Sequence, residues 1–373
     1  LLKRQGFYNS ITLYLGTALG FFNLIIIFQR VLSLEEIGFF NIMIAVSLLY
    51  IQIATLGFTS VITRYLPFFR TEDKKHGGFP LFVFAVCIVA FLILTAVFLL
   101  FRESVLEMYL DKDGSSLLGQ YYLYIIPVSF CLMLFTLQEI FSRTVFKTIL
   151  PAFLREVILR VFTSVGILLV LIKMLDYEGF IAFYLLANLV VVLIISFYNY
   201  KIKAYRFSAI SEKVRSEAGT MMKYGMFSML GGSSFALVQN LDVIILRILT
   251  DEATVGIYST FFLIAVVITL PSKALNTTSY QIIADALKEE DIPKIGRIYH
   301  KTSVVQFLIG CLLLIGLIVN KKSLLFLLHK EEYINHFNIF IIVGLGFLAD
   351  ITGGLNGAII SFSKHYKMVM GGL

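Results

Sequence analysis

Long apolar stretches recur along this chain, and each is about as long as a lipid bilayer is thick. The hydrocarbon core of a bilayer is about 30 Å thick, so an α-helix needs about 20 residues to cross it. Backbone groups inside lipid must pair within their own segment, and continuous apolar runs without alternation are typical of helices. The sequence therefore predicts an all-α polytopic membrane protein.

The predicted spans number about ten, and an eleventh begins near Tyr366. Their approximate bounds are 7–29, 38–60, 79–101, 121–145, 152–174, 179–200, 221–247, 256–284, 302–320 and 337–362. Hydrophobic residues make up 58% of the chain and charged residues only 15%, whereas about a quarter of the residues in a soluble domain are charged. This composition excludes an ordinary soluble domain.

The distribution of Lys and Arg indicates which side of the membrane each segment faces. If the N-terminus is cytosolic, 21 of the 31 Lys and Arg residues lie in cytosolic segments and 8 in outer segments, while Arg160 and Lys273 fall inside spans. This asymmetry predicts a cytosolic N-terminus and explains the net charge of +7 without a nucleic-acid partner. The three cysteines lie inside apolar stretches and the five histidines are scattered, so no disulfide, metal site or cofactor is predicted.

The chain contains an internal repeat. Residues 30–33 (Arg-Val-Leu-Ser), which precede Gly38, correspond to residues 247–250 (Arg-Ile-Leu-Thr), which precede Gly256. The offset is 247 − 30 = 217 and becomes 256 − 38 = 218 after one inserted residue. Six spans separate the copies, so both enter the membrane in the same direction. A parallel repeat predicts two lobes of six helices related by a pseudo-two-fold axis along the membrane normal. Chance similarity between apolar segments is the alternative.

The predicted organisation is a six-helix N-terminal lobe at 1–200, a cytosolic linker or amphipathic segment at 201–220, and a C-terminal lobe at 221–373. Because the C-terminal lobe holds four spans and a fragment, we expect it to be incomplete, truncated by about two spans or more.

Three regions carry a resemblance to a known family. Residues 31–40 resemble the first outer turn of polysaccharide flippases, and residues 56–65 resemble the end of their second helix. Residues 241–246, followed by 255–259, are similar to their seventh-to-eighth helix region. Over essentially its whole length the chain resembles the multidrug/oligosaccharidyl-lipid/polysaccharide exporter superfamily, and within it the Wzx-type O-antigen and capsule flippases.

This resemblance implies a two-lobed transporter in the bacterial inner (cytoplasmic) membrane. Its central cavity would be lined largely by the first, second, seventh and eighth helices, and it would alternate between inward- and outward-facing states. The implied cargo is an undecaprenyl-diphosphate-linked oligosaccharide, moved from the cytosolic to the outer leaflet for export of a surface polysaccharide such as lipopolysaccharide O-antigen. The implied partners are this lipid-linked oligosaccharide and membrane lipids.

A sugar–diphosphate headgroup needs a hydrated, cationic path, so ionisable residues inside spans are the first candidates for cargo contacts. Lys273 lies near the middle of the eighth span, beside Asn276, and is predicted to line the cavity; pairing with a nearby acid is the alternative. Arg160 lies in the fifth span, four residues after Glu156, which is the favourable order for an ion pair on a helix. A structural pair and a cavity-lining role for Arg160 stay equally open.

Arg64 and Arg143 lie near the cytosolic ends of their spans, and Glu139 with Arg143 forms a second pair spaced four residues apart. Both arginines are candidates for binding the diphosphate, because a planar guanidinium can donate two parallel hydrogen bonds. Snorkelling of these side chains to the membrane surface is the alternative.

Asp350, Asp242 and Glu139 are candidates for binding a coupling proton or sodium ion. A structural ion pair is an equal alternative for Asp350, and anchoring at the membrane surface is the alternative for Asp242. Asn23 and Asn240 occupy matching places in the repeat. They are candidates for cargo contacts or for hydrogen bonds between the lobes, and packing within a lobe stays open.

Two other functions stay open. An ion-coupled drug or metabolite antiporter of the same fold is the first, although the intramembrane cations favour an anionic cargo. A membrane enzyme is the second. The longest outer connection, 102–120, offers four acidic residues without a partner histidine or a nucleophile motif, so no catalytic residue is predicted.

Overall fold

The structure is a computed structural model that describes residues 2–104, 116–272, 275, 279, 282–283, 286, 289, 291–356 and 359. Every regular element in these ranges is helical. Helix α1 comprises Leu2–Phe21, a π-helical segment Phe22–Ile27 and Phe28–Val31. It is followed by α2 (Leu34–Ala54), α3 (Phe58–Phe69), α4 (Phe79–Leu100) and, after the short helices Leu117–Tyr121 and Tyr122–Tyr124, α5 (Ile125–Thr144).

The remaining helices continue in the same order. Helix α6 comprises Ile149–Phe153, a π-helical segment Leu154–Ile158 and Leu159–Leu171. Then come α7 (Tyr177–Lys201), α8 (Glu212–Leu249), α9 (Glu252–Val266 with the turn Val267–Thr269), α10 (Ile292–Val319), α11 (Lys321–Leu328), the short helix Glu332–Asn335 and α12 (Phe337–Thr352).

Seven of the helical segments in the described ranges are long and apolar enough to cross a membrane: Ile11–Val31, Leu34–Ala54, His76–Leu100, Leu117–Thr144, Tyr177–Lys201, Glu252–Ser272 and Ile292–Val319. The other three predicted spans are also helical. They are α6, which carries three charged residues near its start, α8, which is less apolar, and α12, which is shorter.

Two predicted spans contain a break in the helix within the described residues, and a glycine with positive φ lies in each break. The span 38–60 is interrupted after Ala54, because Gly57 adopts φ +69° just before α3 begins at Phe58. The span 337–362 is interrupted after Thr352, where Gly354 has φ +57°. A left-handed backbone is accessible to glycine at little cost and ends a right-handed helix.

The two corners that carry the internal repeat are built alike. Ser33 caps α2 in a reciprocal bond with Glu36: the Glu36 N–H donates to Ser33 Oγ and the Ser33 N–H donates to Glu36 Oε2. Asp251 caps α9 by accepting the Thr254 N–H at 2.7 Å. The offset between the caps, 251 − 33 = 218, equals the offset of the glycines in the sequence repeat. The pseudo-two-fold axis itself stays a prediction.

Contacts divide the chain into two compact units, Leu1–Val255 and Gly256–Leu373. The first unit includes α8, which begins beyond the predicted N-terminal lobe, because α8 crosses the break between α2 and α3 at close range. A side chain on Gly225 would meet the Leu56 carbonyl oxygen at 2.6 Å, and one on Gly57 would meet the Gly225 carbonyl oxygen. The predicted linker 201–220 comprises the end of α7, an irregular stretch and the start of α8. The lobe boundaries stay a prediction.

The second unit is held by the packing of α10 against α12 and by an aromatic cluster. Gly310 lies against Ile351, and Gly344 lies against Leu314, so both helices approach closely. The buried ring of Phe261 makes edge contacts with Tyr333 and Phe337, while the Tyr333 hydroxyl donates to Thr260 at 3.0 Å.

Candidate functional site

Five charged side chains of α5 and α6 form a continuous row in the first unit. We call this row the arginine–glutamate ladder, and it consists of Arg143, Glu139, Arg155, Glu156 and Arg160. Its members alternate in sign, so each glutamate contacts two arginines.

Glu139 joins the two helices. Its carboxylate is only 3% exposed and accepts hydrogen bonds from Arg143 on α5 at 2.6 Å and from Arg155 on α6 at 2.9 Å. The pair Glu139–Arg143 predicted from the sequence is therefore present, and Arg155 is a second partner that the sequence did not indicate. The observed contacts give Glu139 the role of a bridge between α5 and α6, and its role in ion coupling stays a prediction.

Glu156 continues the row along α6. It lies 3.6 Å from Arg155 and 3.0 Å from Arg160, which confirms the predicted pair spaced four residues apart. Arg155 and Glu156 lie in the π-helical segment Leu154–Ile158. A π-helical turn holds one more residue than an α-helical turn and so changes where neighbouring side chains point; such turns are frequent at functional sites.

Arg160 anchors the ladder to α1. Its guanidinium donates to the Gly16 carbonyl oxygen, and a side chain on Gly20 would collide with that guanidinium. A side chain on Gly16 would meet the Glu156 carbonyl oxygen at 2.5 Å. The two glycines are four residues apart, the spacing of close helix contacts in membranes. This spacing was visible in the sequence and could have predicted the contact surface of α1.

Asn23 completes the contact between α1 and α6. Its side-chain amide donates to the Arg160 carbonyl oxygen at 2.9 Å and its Oδ1 accepts from the Ser164 hydroxyl at 2.7 Å. Asn23 is buried. The partners in these two hydrogen bonds, Arg160 and Ser164, both belong to the predicted N-terminal lobe. The bonds therefore favour packing within a lobe as the role of Asn23, rather than a hydrogen bond between lobes.

The ladder has a net charge of +1, since three arginines face two glutamates. The arginine side chains are 50%, 44% and 33% exposed for Arg143, Arg155 and Arg160, whereas both glutamates are more buried. The glutamates therefore fix the position of the guanidinium groups, and the exposed parts of those groups present N–H donors. Positioned guanidinium groups are suited to binding phosphate or diphosphate.

Arg64 lies outside the ladder, on α3. Its exposed guanidinium lies over the ring of Tyr224 on α8, with 4.4 Å between the guanidinium carbon and the ring centroid. The ring of Tyr65 is 5.7 Å away. Arg64 therefore contacts α8 through a cation–π interaction, which the sequence did not indicate.

A buried ion pair at the corner between α8 and α9 was also missed. Arg247 is 2% exposed, and its Nη2 lies 3.4 Å from Glu252 Oε1, while its Nη1 donates to the Thr250 carbonyl oxygen at 3.0 Å. The Glu252 carboxylate also accepts the backbone N–H groups of Leu117 and Leu118 at 3.1 and 2.9 Å. The five-residue spacing of Arg247 and Glu252 was the only signal in the sequence.

The remaining candidates are dispersed. Asn240 and Asp242 are half-buried on α8, and the Asp242 Oδ1 accepts the Val243 N–H at 2.8 Å. Asp350 lies in the last turn of α12 and has an exposed side chain, whereas the sequence placed it in the middle of a span. Lys273 and Asn276 lie outside the described residues.

The fold is similar to that of solved membrane transporters. Over 97% of this chain and 86% of the other, it is similar to an inward-facing multidrug resistance MATE family transporter of the MOP superfamily, with a TM-score of 0.72 and 13% sequence identity. A mutant of the Vibrio cholerae MATE transporter VcmN gives a TM-score of 0.52 and 14% identity over 96% of this chain and 86% of that one. The predicted all-α polytopic membrane architecture is confirmed, and the chain is a multi-pass membrane protein with a MATE-like fold.

The chain belongs to the polysaccharide biosynthesis protein family, whose sequence model matches residues 2–280. A search of the curated proteins found no match. The family and the transporter fold together confirm the resemblance to polysaccharide flippases of the MOP superfamily. The solved structures that share this fold are transporters.

Proposed function

We propose that the protein is a flippase that moves an undecaprenyl-diphosphate-linked oligosaccharide from the cytosolic to the outer leaflet of the bacterial inner membrane. It acts by alternating access, with its N-terminus in the cytosol, and serves the export of a surface polysaccharide. The observation that carries this proposal is the family match over residues 2–280 on a chain with a transporter fold.

The ladder supports an anionic cargo. A diphosphate loses its hydration when it leaves water. Hydrogen-bond donors of the protein offset this loss best when they are already positioned around the diphosphate site. Glu139 and Glu156 hold three arginine side chains in position, so less side-chain entropy is lost when an anion binds. Arg143 and Arg155 are the more exposed of the three and are proposed as the first contacts of the diphosphate.

Other residues receive roles from their place in the sequence. We assign cargo contacts to Lys273, Asn276 and Asn240, which follow from the predicted cavity. Asp350 and Asp242 are proposed as sites for a coupling proton or sodium ion. Arg160 is proposed to hold the ladder against α1, because its guanidinium is engaged by Glu156 and by the Gly16 carbonyl oxygen.

Complementation tests the proposal. A bacterial strain that lacks its own polysaccharide flippase would carry this gene or a variant, and surface glycan would be measured at equal protein level in the membrane. The wild type should restore surface glycan, whereas Arg155→Gln and Lys273→Ala should reduce it by tenfold or more. Arg30→Gln, at an exposed position outside the ladder, is the matched control and should complement fully. No restoration by the wild type in a strain with a matching glycan would contradict the proposal.

The second candidate function is an ion-coupled drug or metabolite antiporter. The fold likeness to a multidrug resistance transporter favours it, although 13% identity establishes the fold alone. Exporters of cationic drugs are expected to present acids, whereas the described ladder has more arginines than glutamates. Efflux of a cationic dye, without any effect on surface glycan, would favour the antiporter.

A further inference from the structure

The loop between α3 and α4 is closed on itself by side-chain hydrogen bonds. The Thr71 N–H donates to His76 Nδ1 at 3.1 Å, and the His76 N–H donates back to the Thr71 hydroxyl at 2.9 Å. The Asp73 carboxylate accepts from the Thr71 hydroxyl and from the Lys75 N–H, and these two bonds lower the pKa of Asp73. This carboxylate therefore serves the loop itself.

The same loop is also fixed to the segment that joins α7 to α8. The Arg206 N–H donates to the Lys74 carbonyl oxygen at 2.7 Å, and the Ser211 N–H donates to the Gly77 carbonyl oxygen at 2.9 Å. A loop that is bonded both internally and to its neighbour is pre-organised, so a ligand that binds there loses little free energy in ordering it.

A cavity of about 100 Å³ lies between this loop, the end of α5 and the residues after α7. We call it the loop cavity. The cationic residues Arg70 and Lys74 are among its lining residues, and none of the described lining residues is an aspartate or a glutamate. Leu66 and Phe146 supply apolar walls. This volume can hold several water molecules, so it admits a group of the size of a phosphate.

The orientation of Arg70 is fixed by one bond. Its Nη2 donates to the Thr144 carbonyl oxygen, another lining group, at 3.1 Å. A guanidinium carries five N–H donors in a planar fork, and this bond uses one of them. Arg70 and Lys74 thus offer a fork and a point charge to the same small space, a combination suited to phosphate oxygens.

Backbone strain is concentrated around the loop cavity. Seven described residues other than glycine have positive φ, and four of them line or adjoin this cavity: Lys74, His76, Phe146 and Lys203, at +62°, +52°, +58° and +50°. Such conformations are costly for residues with a Cβ and persist where the surroundings determine them fully; they cluster at binding sites. The walls of the loop cavity are therefore held in a costly but defined shape.

The position of the loop cavity points to the source of its ligand. The apolar segment His76–Leu100 begins in the cavity wall, so the cavity lies at an end of a membrane-crossing helix, where lipid headgroups are found. We propose that the loop cavity binds a phosphate group, and that this phosphate belongs to an anionic membrane lipid. The loop cavity shares no lining residue with the ladder, although Thr144 directly follows Arg143, and the proposal does not depend on the identity of the cargo.

Native mass spectrometry of the full chain, released from nanodiscs of phosphatidylglycerol and phosphatidylcholine, tests this site. The wild type should retain phosphatidylglycerol over phosphatidylcholine by about tenfold. Both lipids carry a phosphate, but the choline of phosphatidylcholine would bring a second cation close to Arg70 and Lys74, which repel it. The double variant Arg70→Gln/Lys74→Gln should lose this preference. Lys74→Gln alone should reduce it, and is the safer variant for folding because the loop uses the backbone carbonyl of Lys74.

Lys75→Gln is the matched control, since Lys75 is an exposed lysine of the same loop outside the cavity lining. It should retain phosphatidylglycerol as the wild type does. A second arm measures thermal stabilisation by inorganic phosphate. If inorganic phosphate stabilises the wild type but not the double variant, and the wild type shows no lipid preference, the phosphate site is supported and its ligand is a soluble phosphate. The proposal would be overturned if the wild type and the double variant retained phosphatidylglycerol equally and phosphate stabilised neither. It would also be overturned if Lys75→Gln lost the lipid preference as fully as the double variant.

Discussion

Arg247 and Glu252 form a buried ion pair at the corner between α8 and α9, and the Glu252 carboxylate also bonds two backbone N–H groups of a helix more than 130 residues away in sequence. This pair joins the end of α8 to the short helix Leu117–Tyr121. Because both side chains are almost fully buried, neither can exchange its partner for water.

Glu252→Gln should therefore destabilise the protein by about 3 kcal/mol, because Arg247 would remain buried without a carboxylate. Arg247→Met should cost less, since Glu252 keeps the N–H groups of Leu117 and Leu118. The double variant should cost less than the sum of the single variants by about 1–3 kcal/mol. Denaturant unfolding in detergent measures all three. Arg30→Met, at the exposed arginine of the corresponding corner, is the control, and additive single effects would contradict the pairing.

Removal of the Glu139 charge should loosen the contact between α5 and α6. Glu139→Gln leaves Arg143 and Arg155 without their shared carboxylate, but both arginines are about half exposed and can be hydrated. The expected loss of unfolding free energy is therefore about 1–2 kcal/mol. Glu217→Gln, at an exposed position of α8, should change stability by less than about 0.5 kcal/mol. Equal effects of the two variants would show that Glu139 is not a bridge.

Gly16→Ala should destabilise the protein by about 1–3 kcal/mol, because the new Cβ would lie 2.5 Å from the Glu156 carbonyl oxygen, a backbone atom. Gly219→Ala is the matched control in another helix, since its Cβ would meet nothing within 4 Å. Alanine is a better helix former than glycine, so Gly219→Ala should be neutral or stabilising. Thermal unfolding of both variants measures the difference, and a neutral Gly16→Ala would contradict the close contact of α1 with α6.

Most of the fold could be predicted from the sequence because span length and apolarity are local properties. The ion pairs Glu139–Arg143 and Glu156–Arg160 were predicted from their spacing of four residues on a helix. The breaks at Gly57 and Gly354 were not predicted, because apolar residues lie on both sides of each glycine.

Less of the candidate site could be predicted, because its contacts join residues on different helices. Arg155, in the π-helical segment of α6, donates to Glu139 on α5. Arg160 donates to Gly16, which lies 144 residues earlier in the chain. No spacing rule covers such contacts; they depend on how close two helices approach. Gly16 and Gly20 carried that information, since their spacing marks a helix surface without side chains.

The central claim is that this chain moves a lipid-linked diphosphate sugar across a membrane, and proteoliposomes test it most directly. The purified full chain would be reconstituted with undecaprenyl-diphosphate-linked oligosaccharide, and the rate at which the sugar becomes accessible on the opposite leaflet would be measured. We predict that the wild type accelerates this rate over protein-free vesicles and that Arg155→Gln lowers it by tenfold or more. A rate equal to that of protein-free vesicles, with transport of a cationic dye by the same preparation, would contradict the claim.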